Sequence, residues 1–139
     1  MKKTLLAVLL ATASTCALAA DQQQVTVSLT SASTMAQGMA MVLANQMQEQ
    51  GAQVDILLCD TAGDIALKGA TGEALKPNNV TPAQLLDGAI KKGATASVCA
   101  LYLPNTGHTA EDLRDGITAA NPAKMGASLL EKDRKVIGF

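Results

Sequence analysis

The chain has 139 residues, 11 basic and 12 acidic, with three Cys, one Tyr and one Phe and no Trp. A near-neutral chain with two aromatic rings lacks both the basic face and the stacking platforms that a nucleic-acid partner requires. Its apolar 48% must therefore build an aliphatic core.

The first 19 residues read as a secretory signal. Lys2 and Lys3 form a charged start, Leu5 to Leu10 an apolar run too short to span a bilayer, and Ala17-Leu18-Ala19 a small-residue cleavage site. Cys16 falls inside this segment, and Ser14-Thr15 before it lacks the pattern of a lipidation site. The expected mature domain is 20–139, of net charge −3 once Lys2 and Lys3 are gone. Such a protein is expected in the periplasm or secreted, with no membrane span after cleavage. Two cysteines remain, Cys59 and Cys99, and an oxidising compartment raises a disulfide between them.

Val25 to Leu29 alternates apolar and polar residues in the manner of a strand, and Thr30 to Thr34 forms a hydroxyl-rich turn. Met35, Met39, Val42, Leu43 and Met47 recur at helical spacing up to Gly51. Val54 to Cys59 reads as a second, buried strand, followed by a short helical turn over 60–68 and a loose loop to Val80. Thr81, Pro82 and Gln84 make a capping box for a helix that Gly93 ends. Ala94 to Leu103 is the expected third strand, broken at Pro104. Thr109 with Asp112 predicts a further helix to about Ala119, Asn121-Pro122 starts another towards Glu131, and residues 135–139 close with a strand.

This alternation predicts one α/β domain, a three-layer αβα sandwich with a mainly parallel sheet of four or five strands, flavodoxin- or Rossmann-like. In the flavodoxin order the first strand lies between the second and the third. The cysteine-bearing strands would then stand two spacings apart, roughly 9–10 Å, beyond the ~7 Å reach of a disulfide.

In the order and spacing of these pieces the chain resembles the DsrE/DsrF-like family, which includes the YchN-like and sulfur-relay proteins. The segments that carry the likeness are Gly38 to Ala44, Val54 to Leu58, Leu85 to Ala94, Val98-Cys99-Ala100, and Gly107 with Asp112 to Ile117. The resemblance implies a homo-oligomer, trimer or hexamer, and a cysteine that carries sulfane sulfur as a persulfide. Cys99 falls at that position. A thiol-bearing donor or acceptor protein is the implied partner, and no cofactor is called for.

Persulfide chemistry needs an accessible thiolate, and the residues offered for it are His108 and the helix start near Thr109. Ser31 and Thr34, on the loop after the first strand, are candidates for holding a small anion. Each has a plainer reading: Cys99 as a small core hydrophobe, His108 as a solvated loop residue, Ser33 and Thr34 as helix caps. Cys59, next to Asp60, reads mainly as structural. Met35, Met39, Met41 and Met47 raise a soft metal, but core packing accounts for them and no metal site is assigned. The rival to sulfur transfer is a non-catalytic scaffold or small-ligand module of the same fold, and whether the domain is an enzyme stays open.

Overall fold

A computed structural model describes residues 22–139; the segment read as a secretory signal, with Cys16, lies outside them. Five strands, β1 (Gln24–Leu29), β2 (Gln53–Leu58), β3 (Thr95–Val98), β4 (Ile117–Ala119) and β5 (Lys135–Gly138), form one parallel sheet in the order β4-β3-β2-β1-β5. Four α-helices connect them: α1 (Thr34–Glu49), α2 (Pro82–Lys91), α3 (Tyr102–Thr106) and α4 (Pro122–Leu129). The α/β class is as expected from the alternation. Among the described residues no helix is long and apolar enough to cross a membrane.

The strand order differs from the flavodoxin expectation. β2, not β1, is the inner neighbour of β3, because the chain steps three times in one direction before the last crossover carries it back past β1. Right-handed crossovers in one direction put α1 and α2 on the same face, where they pack on each other, and the return puts α4 on the opposite face. Alternation then divides the sheet. Val25, Val27 and Leu29 of β1, Val54, Ile56 and Leu58 of β2, and Ala96 and Val98 of β3 are buried under α1 and α2, with Met41, Ala44 and Leu86 completing the core. The other face carries Thr26, Ser28, Asp55, Thr95 and Ser97, and α4 buries none of its residues against it.

One ion cluster holds that polar face. Arg134, whose side chain is only 6% exposed, donates to Asp55 and to Thr26 Oγ1 and pairs with Glu131, while Thr95 Oγ1 donates to Asp55. The guanidinium thus ties the segment before β5 to β1 and β2 at once.

Three local expectations are corrected. The strand beginning near Ala94 ends at Val98, and the chain turns, with Tyr102 N donating to Cys99 O before α3 begins. Thr109 and Asp112 do form a reciprocal capping box, but it caps a single 3-10 turn over Ala110–Asp112. The residues up to Ala119 then go to β4, since Gly116 at φ +82° turns the chain back into the sheet. Of the four methionines assigned to the core, Met41 is fully buried, whereas Met35 and Met39 are 73% and 52% exposed on α1.

Candidate functional site

The site follows from strand register. β2 and β3 pair Leu58 with Val98, and the ladder runs one residue further, where Cys99 N donates to Leu58 O at 2.8 Å and Cys59 N to Leu29 O at 2.9 Å. Cys59 and Cys99 are therefore the next cross-strand neighbours, at the carboxyl edge where parallel sheets bind ligands. Adjacent strands lie ~4.8 Å apart, and a disulfide takes Cα atoms about 4.4–6.8 Å apart. The separation argument against a bridge, which needed β1 between them, falls with the strand order. Both are free thiols and both are half-buried.

Burial pushes the Cys59 thiol up to about 12, and the Cys99 sulfur beside it and the Asp60 carboxylate act in the same direction. Cys59 thus keeps its proton at neutral pH.

Cys99 opens into a cleft of 590 Å³ that it shares with Asp60, Thr61, Asp64, Tyr102 and Asn105. Two connections build the walls. The 3-10 helix Asp60–Ala66 after β2 forms one, and α3 after β3 forms the other. Asp60 starts the first wall at φ +53°, a left-handed backbone that aspartate tolerates better than most residues. Tyr102, 4% exposed, lies across the base, its hydroxyl donating to Asp64 Oδ1 at 2.7 Å. Gly63 makes that approach possible: a Cβ there would come within 2.4–2.7 Å of three atoms of the tyrosine ring. Burial and the neighbouring Asp64 carboxylate hold the Tyr102 phenol above the usual tyrosine range.

The other expected site residues lie elsewhere. His108 stacks on the Tyr102 ring with centroids 6.4 Å apart and has Asp112 Oδ2 3.7 Å from its Nδ1, and it does not line the Cys99 cleft. Asp112 is instead engaged by the Thr109 backbone and hydroxyl, which hold its carboxyl below the usual range. Thr34 borders a separate cleft of 420 Å³, which touches the first only through Thr61 and Asp64. Ser31 accepts from Ser33 N, and Ser33 caps α1 by accepting from Ala36 N. The structure thus joins Cys99 to Cys59, Asp64 and Tyr102, and does not join it to His108, Ser31 or Thr34. Neither Gly63 nor Tyr102 was singled out in the sequence. The lone tyrosine of an aliphatic chain, three residues after the candidate cysteine, was the available signal.

Among the described residues no cluster of His, Cys, Asp or Glu is arranged to hold a metal ion. Met35 and Met39 share an exposed face, with Met41 turned into the core.

The fold defines a class: a five-stranded parallel α/β sandwich with helices packed on the sheet. The particular likeness is to the YchN protein of E. coli, with a TM-score of 0.70 over 85% of this chain and 99% of that one, at 20% identity. A protein of unknown function from Methanobacterium thermoautotrophicum, MTH1491, superposes with a TM-score of 0.62 over 85% and 100% of the two chains, at 8% identity. No family model and no curated protein matches the sequence.

Proposed function

We propose that this protein carries sulfane sulfur as a persulfide on Cys99. The observation that supports the reading is the position of Cys99: half-buried where β3 ends, opening into a cleft at the carboxyl edge of the sheet. The turn after Val98 helps, because the strand does not continue past the thiol. In the step, the Cys99 thiolate attacks the outer sulfur of a donor persulfide. A sulfur–sulfur bond forms at Cys99, the donor's own bond breaks, and the donor leaves as a thiolate. Handover to an acceptor thiol is the same exchange in reverse. The cleft contributes no Lys, Arg or His, so the retained proton on Cys59 takes the part that His108 was expected to play, a donor beside the anionic sulfur.

The domain works after export as a second part of this reading, and as an assembly of identical subunits. Export rests on the segment before Ala20. Assembly rests on Met35, Met39 and Val42, exposed in a row on α1, and on the sheet face that α4 leaves half open, where Val136 is 53% exposed.

The test is intact mass after treatment of the reduced protein with a sulfane-sulfur donor. With Cys59 replaced by serine, one added sulfur is expected, lost when Cys99→Ser is added and kept when His108→Ala is added. No adduct on a reduced Cys99 overturns the persulfide reading and leaves the scaffold. For the exported form, a mature chain starting at Ala20 is expected in the extracytoplasmic fraction. Light scattering should give a multiple of the subunit mass that Met35→Glu with Met39→Glu lowers.

A further inference from the structure

We propose that Cys59 and Cys99 are a reversible dithiol/disulfide pair, in which Cys59 discharges sulfur held on Cys99 by closing a bridge to it. The discharge step rests on the persulfide reading above; the closure does not. Two geometric observations carry it. The two residues continue adjacent parallel strands one step past the Leu58–Val98 pair, and both backbone amides stay on the ladder, which fixes their Cα atoms side by side. At equivalent positions of neighbouring strands the side chains leave the sheet in the same direction. In keeping with that placement, the neighbouring Cys99 is among the groups that raise the Cys59 thiol.

The chemistry closes without an added oxidant. The Cys59 sulfur, reactive in the small fraction that has given up its proton, attacks the inner, Cys99-bound sulfur of the persulfide. The bond between the cysteine sulfurs forms and the bond to the outer sulfur breaks. That sulfur leaves with the electron pair as hydrosulfide, and with the proton Cys59 releases it becomes hydrogen sulfide. The sulfane sulfur is reduced and the two thiols are oxidised to a disulfide. A dithiol reductant must reopen the pair before Cys99 takes sulfur again. Attack by a small disulfide on Cys99 reaches the same bridge through a mixed disulfide, the oxidation being supplied by that reagent. The role of Cys99 in the cleft assigns it as the residue first modified, because Cys59 does not line the cleft.

The experiment uses the purified chain with Cys16→Ser, so that Cys59 and Cys99 are its only thiols. The reduced protein is divided between oxidised glutathione and inorganic polysulfide, and intact mass, free-thiol titration and released sulfide are followed. With oxidised glutathione the parent should lose two hydrogens and both thiols, whereas Cys59→Ser should stop at a glutathione adduct on Cys99. With polysulfide the parent should release sulfide and end as the bridged form, whereas Cys59→Ser should retain one added sulfur. Cys59→Ala, which keeps a small apolar side chain, should repeat both results and so separate loss of the thiol from loss of the fold. A parent that holds its glutathione or sulfur adduct as long as Cys59→Ser, with no bridge, overturns the pair while leaving the persulfide carrier intact. Closure with oxidised glutathione but no sulfur uptake from polysulfide overturns the carrier and leaves the pair.

Discussion

The hydroxyl of Tyr102 reaches the carboxylate of Asp64 at 2.7 Å and thereby joins the two connections that flank Cys99. One partner follows β3 and the other follows β2, so a single hydrogen bond fixes how far the walls of the cleft stand apart. Removing only the hydroxyl, in Tyr102→Phe, leaves the ring packed and Asp64 without its donor. The expected loss is about 1–2 kcal/mol in unfolding free energy, the usual scale for a hydrogen bond to a charged group that water can partly replace. Denaturant titration measures it. Alkylation of Cys99 by a bulky maleimide should quicken in the same variant, and an unchanged rate would separate the hydrogen bond from the shape of the cleft.

Gly63 gives a second, steric handle on the same wall. A methyl group there meets the tyrosine ring at 2.4–2.7 Å, and the ring is buried and held at its hydroxyl, so it has little room to retreat. Gly63→Ala is expected to destabilise by about 1–3 kcal/mol, the range for overpacking a close-packed interior. Gly126→Ala is the control, since nothing lies within 4 Å of the added carbon. Equal melting temperatures for the two variants would mean that the Tyr102 ring gives way freely.

Ionisation of Cys59 and of Tyr102 sets an alkaline limit. Each is an acid whose proton the folded protein holds more tightly than the unfolded chain does, Cys59 at about 12 against 9.0 and Tyr102 above its ordinary value. Both contributions to stability are complete below pH 9.0 and are lost as the pH rises through the folded-state values. Unfolding free energy should therefore be flat through neutrality and fall at high pH, with a shallower fall in Cys59→Ala. Iodoacetamide kinetics give a second readout. In Cys99→Ser, burial still holds Cys59 protonated, so its alkylation should climb roughly tenfold per pH unit and still be rising at about pH 10. A plateau in the ordinary cysteine range would contradict this.

The polar side of the sheet supplies a contrast between buried and exposed charge. Arg134 is almost completely covered, with Asp55 23% and Glu131 53% exposed. Arg134→Met should cost about 2–4 kcal/mol, because it strands the Asp55 carboxylate beside Thr26. Glu131→Gln should cost less than about 1 kcal/mol, the ordinary value of an exposed pair. Chemical denaturation of both variants decides the ranking.

Much of this fold could be read from the chain. Alternation over Val25–Leu29, the capping box of Thr81 and Gln84 and the Asn121-Pro122 helix start are local signals, and local signals survive into the structure. Strand order is not local. Nothing within β2 or β3 says which of them β1 adjoins, so the relation of Cys59 to Cys99 was misjudged although each was placed on its own strand. Thr109 and Asp112 failed in another way. Their capping chemistry forms as written, but Gly116 and the open edge of β3 draw the following residues into a strand. His108 lies on the expected loop. Its distance from the Cys99 cleft follows from Tyr102, whose ring it stacks on, and a loop sequence carries no information about which side of a neighbouring ring it will meet.

The salt bridge across the polar face also bears on the order in which the polypeptide matures as it is made. Asp55 meets its guanidinium 79 residues later, and β1 gains β5 as its second neighbour only when residues 135–138 are present. A nascent chain can assemble β1 to β4 with α1 and α2 and still leave the outer edge of β1 bare, with Thr26 uncovered and Asp55 of β2 unneutralised. Residues 134–138 then cover that strand and neutralise that charge together, so the growing chain stays open along one edge until they are made.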